Sequence, residues 1–138
     1  MSRYKYSDDC DGWALIRWRG AVYSAIRGQR GQAFLRGMLT ALDAMPQKRL
    51  IANRLEQAGE HCALGVVGAA RGVRIGSLDV DDDEYDRKAI GELLNVAPAL
   101  VAEVMFENDE GGWLNETPEM RWERMRDWVV LQIVEGGT

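Results

Sequence analysis

Apolar residues recur at helical spacing through residues 11–45, with a single break at Arg27-Gly28-Gln29-Arg30-Gly31. Leu15, Trp18, Val22 and Ile26 share one face, with Ala14, Ala21 and Ala25 beside them and Arg17, Gly20, Ser24 and Arg27 opposite. A strand alternates its side chains every second residue and cannot separate these two sets. The spacing predicts a helix from Asp11 to Arg27, with Ser7, Asp8, Asp9 and Asp11 as candidate N-caps whose carboxylates suit the positive end of its dipole. Gly20 inside it costs about 1 kcal/mol against alanine, which suggests that another backbone passes close by. A second helix is predicted from Gln32 to Met45. Phe34, Leu35, Met38, Leu39, Leu42 and Met45 form its apolar face, Gln32, Arg36, Thr40 and Asp43 its polar face, and Pro46 ends it. A connection this short predicts an antiparallel helical hairpin.

The two glycines and two arginines of the break invite a phosphate-cradling reading. The Gly-x-x-x-x-Gly-Lys spacing is absent, and no strand is predicted before it. Glycine between two helices is the ordinary explanation.

Across residues 48–64, Leu50 and Ile51 could open one strand and His61 to Leu64 form another around a turn at Ala58-Gly59-Glu60. A helix from Leu50 to Gln57 has equally good spacing; the hairpin is the reading adopted. Gly65 to Arg71 reads as a small close-packed helix ending at Gly72. The run from Asp79 to Asp86 resembles a calcium loop in composition only. Its sixth position is Glu84 rather than glycine, and its twelfth is Ile90 rather than glutamate. It reads instead as a cap on a helix from Glu84 to Leu94, with Tyr85, Ala89, Ile90 and Leu93 inward.

Asn95-Val96-Ala97 and Pro98 then place a turn between that helix and another from Ala99 to Glu110, in a helix-turn-helix pattern. The second of these carries Glu103, Glu107, Asp109 and Glu110 and no Lys or Arg. Phosphates would repel it from a DNA groove. Residues Asn108 to Glu116 form an acidic loop containing Trp113. Thr117-Pro118 opens a last helix as N-cap and first residue. Trp122, Met125, Val129 and Ile133 face its core side with Trp128 at the flank, and Glu119, Glu123 and Asp127 lie outside. Arg126 is three residues from Glu123 and can pair with it. Val130 and Val134 continue the outer stripe, where polar residues belong; either the fold wraps this end or a partner covers it.

The expected fold is therefore mainly α: one compact helical domain over 1–138, built on the N-terminal hairpin, with a short β-hairpin around 48–64. Residues 1–8 form an arm and 136–138 a frayed tail. The chain has 138 residues, 46% hydrophobic and 28% charged, which suits one core. No apolar run reaches membrane-spanning length, and the N-terminus lacks a signal-peptide core, so the reading is cytoplasmic. Cys10 and Cys62 fit free thiols better than a disulfide framework.

The net charge of −5 is unevenly spread. Residues 1–60 hold ten basic and six acidic residues (+4), and residues 61–138 hold seven and sixteen (−9). Two oppositely charged halves can attract within one fold or present two binding surfaces.

Catalytic and metal chemistry finds little support. His61 is the single histidine. In a strand it would point away from Cys62, so the two cannot act as nucleophile and base. Cys10, His61, Cys62 and a carboxylate lack the paired-ligand spacing of a zinc site. No cofactor is expected, and the chain is read as non-enzymatic.

The segments Ser7 to Trp13, Ile16 to Val22, Ala25 to Arg36 and Thr117 to Trp122 resemble a family of short uncharacterised proteins encoded by tailed bacteriophages and prophages. The resemblance is strongest over 7–72 and 117–128. It transfers no activity. It implies a phage accessory protein in a bacterial cytoplasm, where such proteins often bind a host component, including antiviral defence complexes. The expected function is a non-catalytic protein-binding module, with a nucleic-acid-associated helix-turn-helix-like regulator as the alternative. The candidate partner-binding residues are Glu107, Asp109, Glu110, Trp113, Val130 and Val134. A candidate basic patch comprises Arg17, Arg19, Arg27, Arg30 and Arg36. A host protein or complex is the expected partner; self-association is plausible, nucleic acid is the weaker alternative, and no membrane is implied.

Overall fold

A computed structural model describes residues 12–73, 75 and 84–134, with the side chains of 16–73, 75 and 87–134. Among them are six helices and one small antiparallel sheet, so the fold is mainly helical: α1 (Gly12–Arg27), α2 (Gln29–Ala44), β1 (Glu56–Gln57), β2 (Glu60–His61), α3 (Ala63–Ala70), α4 (Glu84–Leu94), α5 (Pro98–Glu110) and α6 (Pro118–Gln132). The arm at 1–8, Cys10, the side chain of Leu15, the acidic run at 79–83, the side chain of Tyr85 and the tail at 136–138 lie outside the described residues.

α1 forms as its periodicity predicts. Val22 and Ile26 are buried, Trp18 packs against them, and Arg17, Gly20, Ser24 and Arg27 face solvent. α2 starts three residues earlier than its apolar pattern implies. Gly28 is the whole connection and caps α2 in extended backbone, while its carbonyl accepts the Gln32 amide at 2.9 Å. Gln29 to Gly31 thus wind into the first helical turn. The close backbone approach expected at Gly20 occurs instead at Gly31: a Cβ there would collide with the Ala25 carbonyl, whereas one at Gly20 meets nothing within 4 Å. Gly20→Ala should therefore stabilise the protein by about 0.5–1 kcal/mol through helix propensity. Gly31→Ala should destabilise it by about 1–3 kcal/mol through overpacking. Urea denaturation of the two variants checks both signs.

Gln32, expected on the polar face, is buried. Its Nε2 donates to the Ile26 carbonyl at 2.8 Å and the Gln132 carbonyl at 3.0 Å, and its Oε1 accepts the Val134 amide at 2.8 Å. An amide can satisfy such groups in the interior because it both donates and accepts. Gln32 thereby ties the end of α6 to the α1–α2 junction.

The apolar face of α2, with Phe34, Leu35, Met38 and Leu42, is shared mainly with α3 and α6, while α1 packs on α5 as much as on α2. The core is therefore not closed by the first two helices alone. α5 lies at its centre: Leu100, Val101, Ala102, Val104, Met105 and Asn108 are buried on most of its circumference.

The hairpin is shorter than expected, although its turn is where the sequence places it. Ala58 and Gly59 take positive φ and Glu56 pairs with His61. Leu50 does not enter a strand because its backbone is taken elsewhere. Its amide donates to the Pro118 carbonyl at 3.0 Å, and its carbonyl accepts from Arg121 at 3.0 Å. The second strand stops at His61 because α3 begins at Ala63, whose amide is capped by the buried Asn108 side chain at 3.1 Å.

α4 buries Ile90 and Leu94 and leaves Leu93 exposed, the reverse of the inward placing of Leu93. Asn95 in the left-handed region ends it. α4 and α5 meet at 105°, an angle typical of a helix-turn-helix. α5 nevertheless cannot enter a groove, being core on most sides and acidic on the strip that remains. Thr117 caps α6 through the Met120 amide at 3.1 Å. No single helix among the described residues is long and apolar enough to cross a membrane.

Candidate functional site

Gly111 N–H donates to the Glu107 carbonyl at 3.1 Å as α5 ends, and the Glu116 amide closes a turn on the Trp113 carbonyl at 3.2 Å. Between them the loop is held by charge. Arg124, reaching up from α6, donates to both Glu116 carboxylate oxygens at 2.6 and 2.9 Å. The same guanidinium donates to the carbonyls of Glu107 at 2.6 Å and Asn108 at 3.2 Å, satisfying the C-terminal end of α5. Arg121 adds a contact to Glu116 at 3.3 Å. The hydrogen bond from Arg124 and the two positive charges hold the Glu116 carboxyl below its ordinary range, against the opposing effect of burial. A Cβ at Gly111 would strike the Glu107 carbonyl and Arg124, and one at Gly112 would press on the Glu116 carboxylate.

A loop pinned in this way displays its two large apolar residues. Trp113 is 80% exposed and Leu114 99%. Beside them, Met120 and Leu131 of α6 are 44% and 79% exposed. Trp113, Met120, Trp128 and Leu131 line an open groove of about 440 Å³ between the loop and α6. Its charged lining is Glu107, Glu116, Glu123, Asp127 and Arg124, and Arg124 is already paired with Glu116. The groove is therefore lined by apolar side chains together with an excess of carboxylates. Burial, and then the neighbouring Glu103, push the Glu107 carboxyl above its ordinary range, while Arg124 pulls the other way.

The structure brings Trp113 and Glu107 together here and leaves Glu110 exposed nearby on α5. Two other candidates lie apart from the groove, half-buried and engaged elsewhere in the fold. Asp109 is turned inward, its Oδ1 accepting from the Asn53 amide at 2.9 Å and the Asn108 side chain at 3.0 Å. Val134 is strapped to α2, its amide on Gln32 and its carbonyl on Arg36 at 3.0 Å. The fold thus wraps the chain at Val134, just past α6. Val130 is 44% exposed but does not line the groove. Met120, Trp128 and Leu131 were not among the candidates. The i, i+3, i+7, i+11 spacing of Met120, Glu123, Asp127 and Leu131 is the sequence signal that marks their common face. Arg126 does not pair with Glu123; it reaches Asp43 on α2 at 2.6 and 3.1 Å, because that carboxylate offers both oxygens to one guanidinium.

Of the basic patch, Arg17, Arg19, Arg27 and Arg30 are exposed, and Arg27 lies 5.3 Å from the centre of the Tyr23 ring. Arg36 is drawn away to the Val134 carbonyl.

A second recess of about 540 Å³ is floored by Ala41, Met45, Val66 and Ala69 and edged by Arg49, Glu60 and His61. Arg49 pairs with Glu60 at 2.8 Å, and the His61 Nε2 lies 3.6 Å from the Glu56 carboxylate. Cys62 is buried at the cap of α3, away from solvent chemistry. Among the described residues no group of three His, Cys, Asp or Glu side chains is placed to hold a metal ion.

The Trp113 groove, an exposed aromatic on an anchored loop beside several carboxylates, is the feature best formed to meet another molecule. No protein-family model, curated protein or solved structure matches this chain.

Proposed function

We propose that this protein is a non-catalytic binding module that captures another protein through the Trp113 groove. On the family resemblance, it is encoded by a bacteriophage or prophage and acts in the bacterial cytoplasm on a host complex, with an antiviral defence complex as the candidate target. The observation that supports binding is the exposure of Trp113, Leu114 and Leu131 together on a loop and helix held rigid by Arg124 and Glu116. Large apolar side chains clustered in solvent mark an interaction surface, and a pre-ordered aromatic loses little entropy on docking. The exposed carboxylates Glu123 and Asp127 in its lining favour a partner with basic residues around apolar anchors.

The tagged protein is used to retain partners from bacterial lysate, and the retained partner is then purified and titrated. Trp113→Ala should weaken its binding by about 30-fold or more, as expected for a central aromatic anchor. Unchanged affinity in Trp113→Ala and Leu131→Asp would sink this reading. The alternative, a nucleic-acid-associated regulator, draws only on the exposed arginines of α1 and α2. It requires binding to DNA or RNA with a steep loss on adding salt.

A further inference from the structure

The groove has a counterpart on the same chain. Along the outer side of α1, Ile16, Arg19, Tyr23 and Arg27 succeed one another at i, i+3, i+7 and i+11. Ile16 and Tyr23 are each 62% exposed. Arg19 and Arg27 are exposed among them. Met120, Glu123, Asp127 and Leu131 have the same four-position spacing on α6, so each stripe spans about 16 Å. One stripe is apolar and basic, the other apolar and acidic. One end of the pairing matches in either direction: with the helices parallel, Ile16 falls opposite Met120, Arg19 opposite Glu123, Tyr23 opposite Asp127 and Arg27 opposite Leu131; with them antiparallel, Ile16 falls opposite Leu131, Arg19 opposite Asp127, Tyr23 opposite Glu123 and Arg27 opposite Met120. In both, the Tyr23 hydroxyl can donate to the facing carboxylate, and Arg27 lies one turn from it.

We propose that the α1 stripe of a second copy of this chain docks in the Trp113 groove, placing Ile16 against its apolar side chains, Arg19 and the Tyr23 hydroxyl against its carboxylates, and Arg27 one turn from the nearer of them. The inference rests on reading the groove as a docking surface. Because the two patches differ, the contact is head-to-tail, closing as a ring or reciprocal dimer or continuing as a chain. A copy seated in the groove covers Trp113, so self-association and capture of a foreign partner compete for one site. Binding of the partner then shifts the assembly towards single copies by mass action.

Sedimentation velocity on the full chain tests this, from about 5 μM to about 500 μM, a range that brackets moderate affinity. At about 50 mM salt the mean mass should rise with concentration. At about 500 mM salt, where charges several ångströms apart are screened, association should weaken at least tenfold. A variant with Arg19→Glu and Arg27→Glu should sediment as a monomer throughout, and so should one with Glu123→Lys and Asp127→Lys. All four positions are exposed, and circular dichroism confirms that each variant is folded. An equimolar mixture of the two variants should assemble again, since each then presents the charge the other lacks. A monomeric wild type at the highest concentration and low salt overturns the proposal. So does assembly that both variants retain, or a mixture that stays monomeric. If the wild type is monomeric yet Trp113→Ala still abolishes capture of a host protein, the self-docking fails and the binding-module reading survives. If assembly follows the charge swaps but no foreign partner depends on Trp113, the reverse holds.

Discussion

Arg124→Ala is expected to cost about 3–5 kcal/mol, the largest loss of any single substitution considered, because it strips the partner from a buried carboxylate. The Glu116 side chain is only 3% exposed, and Arg121 at 3.3 Å cannot replace the two-pronged contact of Arg124. The carbonyls of Glu107 and Asn108 lose their donor at the same time. In a domain of this size the melting temperature should fall by roughly 10–20 °C.

The difference between wild type and variant should also depend on pH. The Glu116 carboxyl is held below its ordinary range in the folded protein, first by the Arg124 hydrogen bond. Its stabilising contribution is thus complete above the unfolded value, about 4.3, and disappears as pH falls through the lower folded value. The gap between the two proteins should be widest near neutrality and shrink towards pH 3, leaving the part due to the uncapped carbonyls. Thermal melts at several pH values measure this, and a gap that stays constant or widens in acid would contradict the assignment.

Asn108→Leu is expected to cost about 2–4 kcal/mol, since two backbone groups lose a buried partner at once. The Asn108 amide donates to the Ile51 carbonyl at 2.9 Å, and its oxygen accepts the Ala63 amide at 3.1 Å, joining the loop before the hairpin to the start of α3. Asn108→Asp keeps the acceptor for Ala63, loses the donor for Ile51 and sets a second carboxylate beside Asp109. It should be unstable at neutral pH and recover in part below about pH 4, where a protonated carboxyl can donate again. Equal loss in the Asp variant at pH 7 and pH 4 would rule out this account of the site. At about pH 4, hydrogen exchange at the Ala63 amide should be quicker in the Leu variant than in the Asp variant, which keeps its acceptor.

The helices were legible because their determinants are local. Periodicity located α1, α4 and α5 to within a residue or so, and Thr117-Pro118 marked the start of α6, because caps and apolar stripes depend on neighbours one turn away. The turn at Ala58-Gly59 was legible for the same reason. Trp113 and Glu107 could be picked out as a loop aromatic and a helix acid in an acidic stretch. Gln32, Asp109 and Asn108 could not be assigned correctly: a polar side chain on a predicted surface reads the same whether it meets water or a backbone one hundred residues away, as Gln32 does at Gln132.

Local spacing and capping established the helical character, the breaks between elements and the surplus of negative charge in the second half. Long-range contacts settled the rest. Which side of α6 became core depended on where α2 and α5 already lay; Leu50 stayed out of the sheet because Pro118 and Arg121 claimed its backbone; and Trp113 was displayed because Arg124 fastened Glu116 beneath it. A side chain's hydrogen-bonding capacity is written in its chemistry. The group that fills it is found only when distant segments come within 3 Å or so of each other.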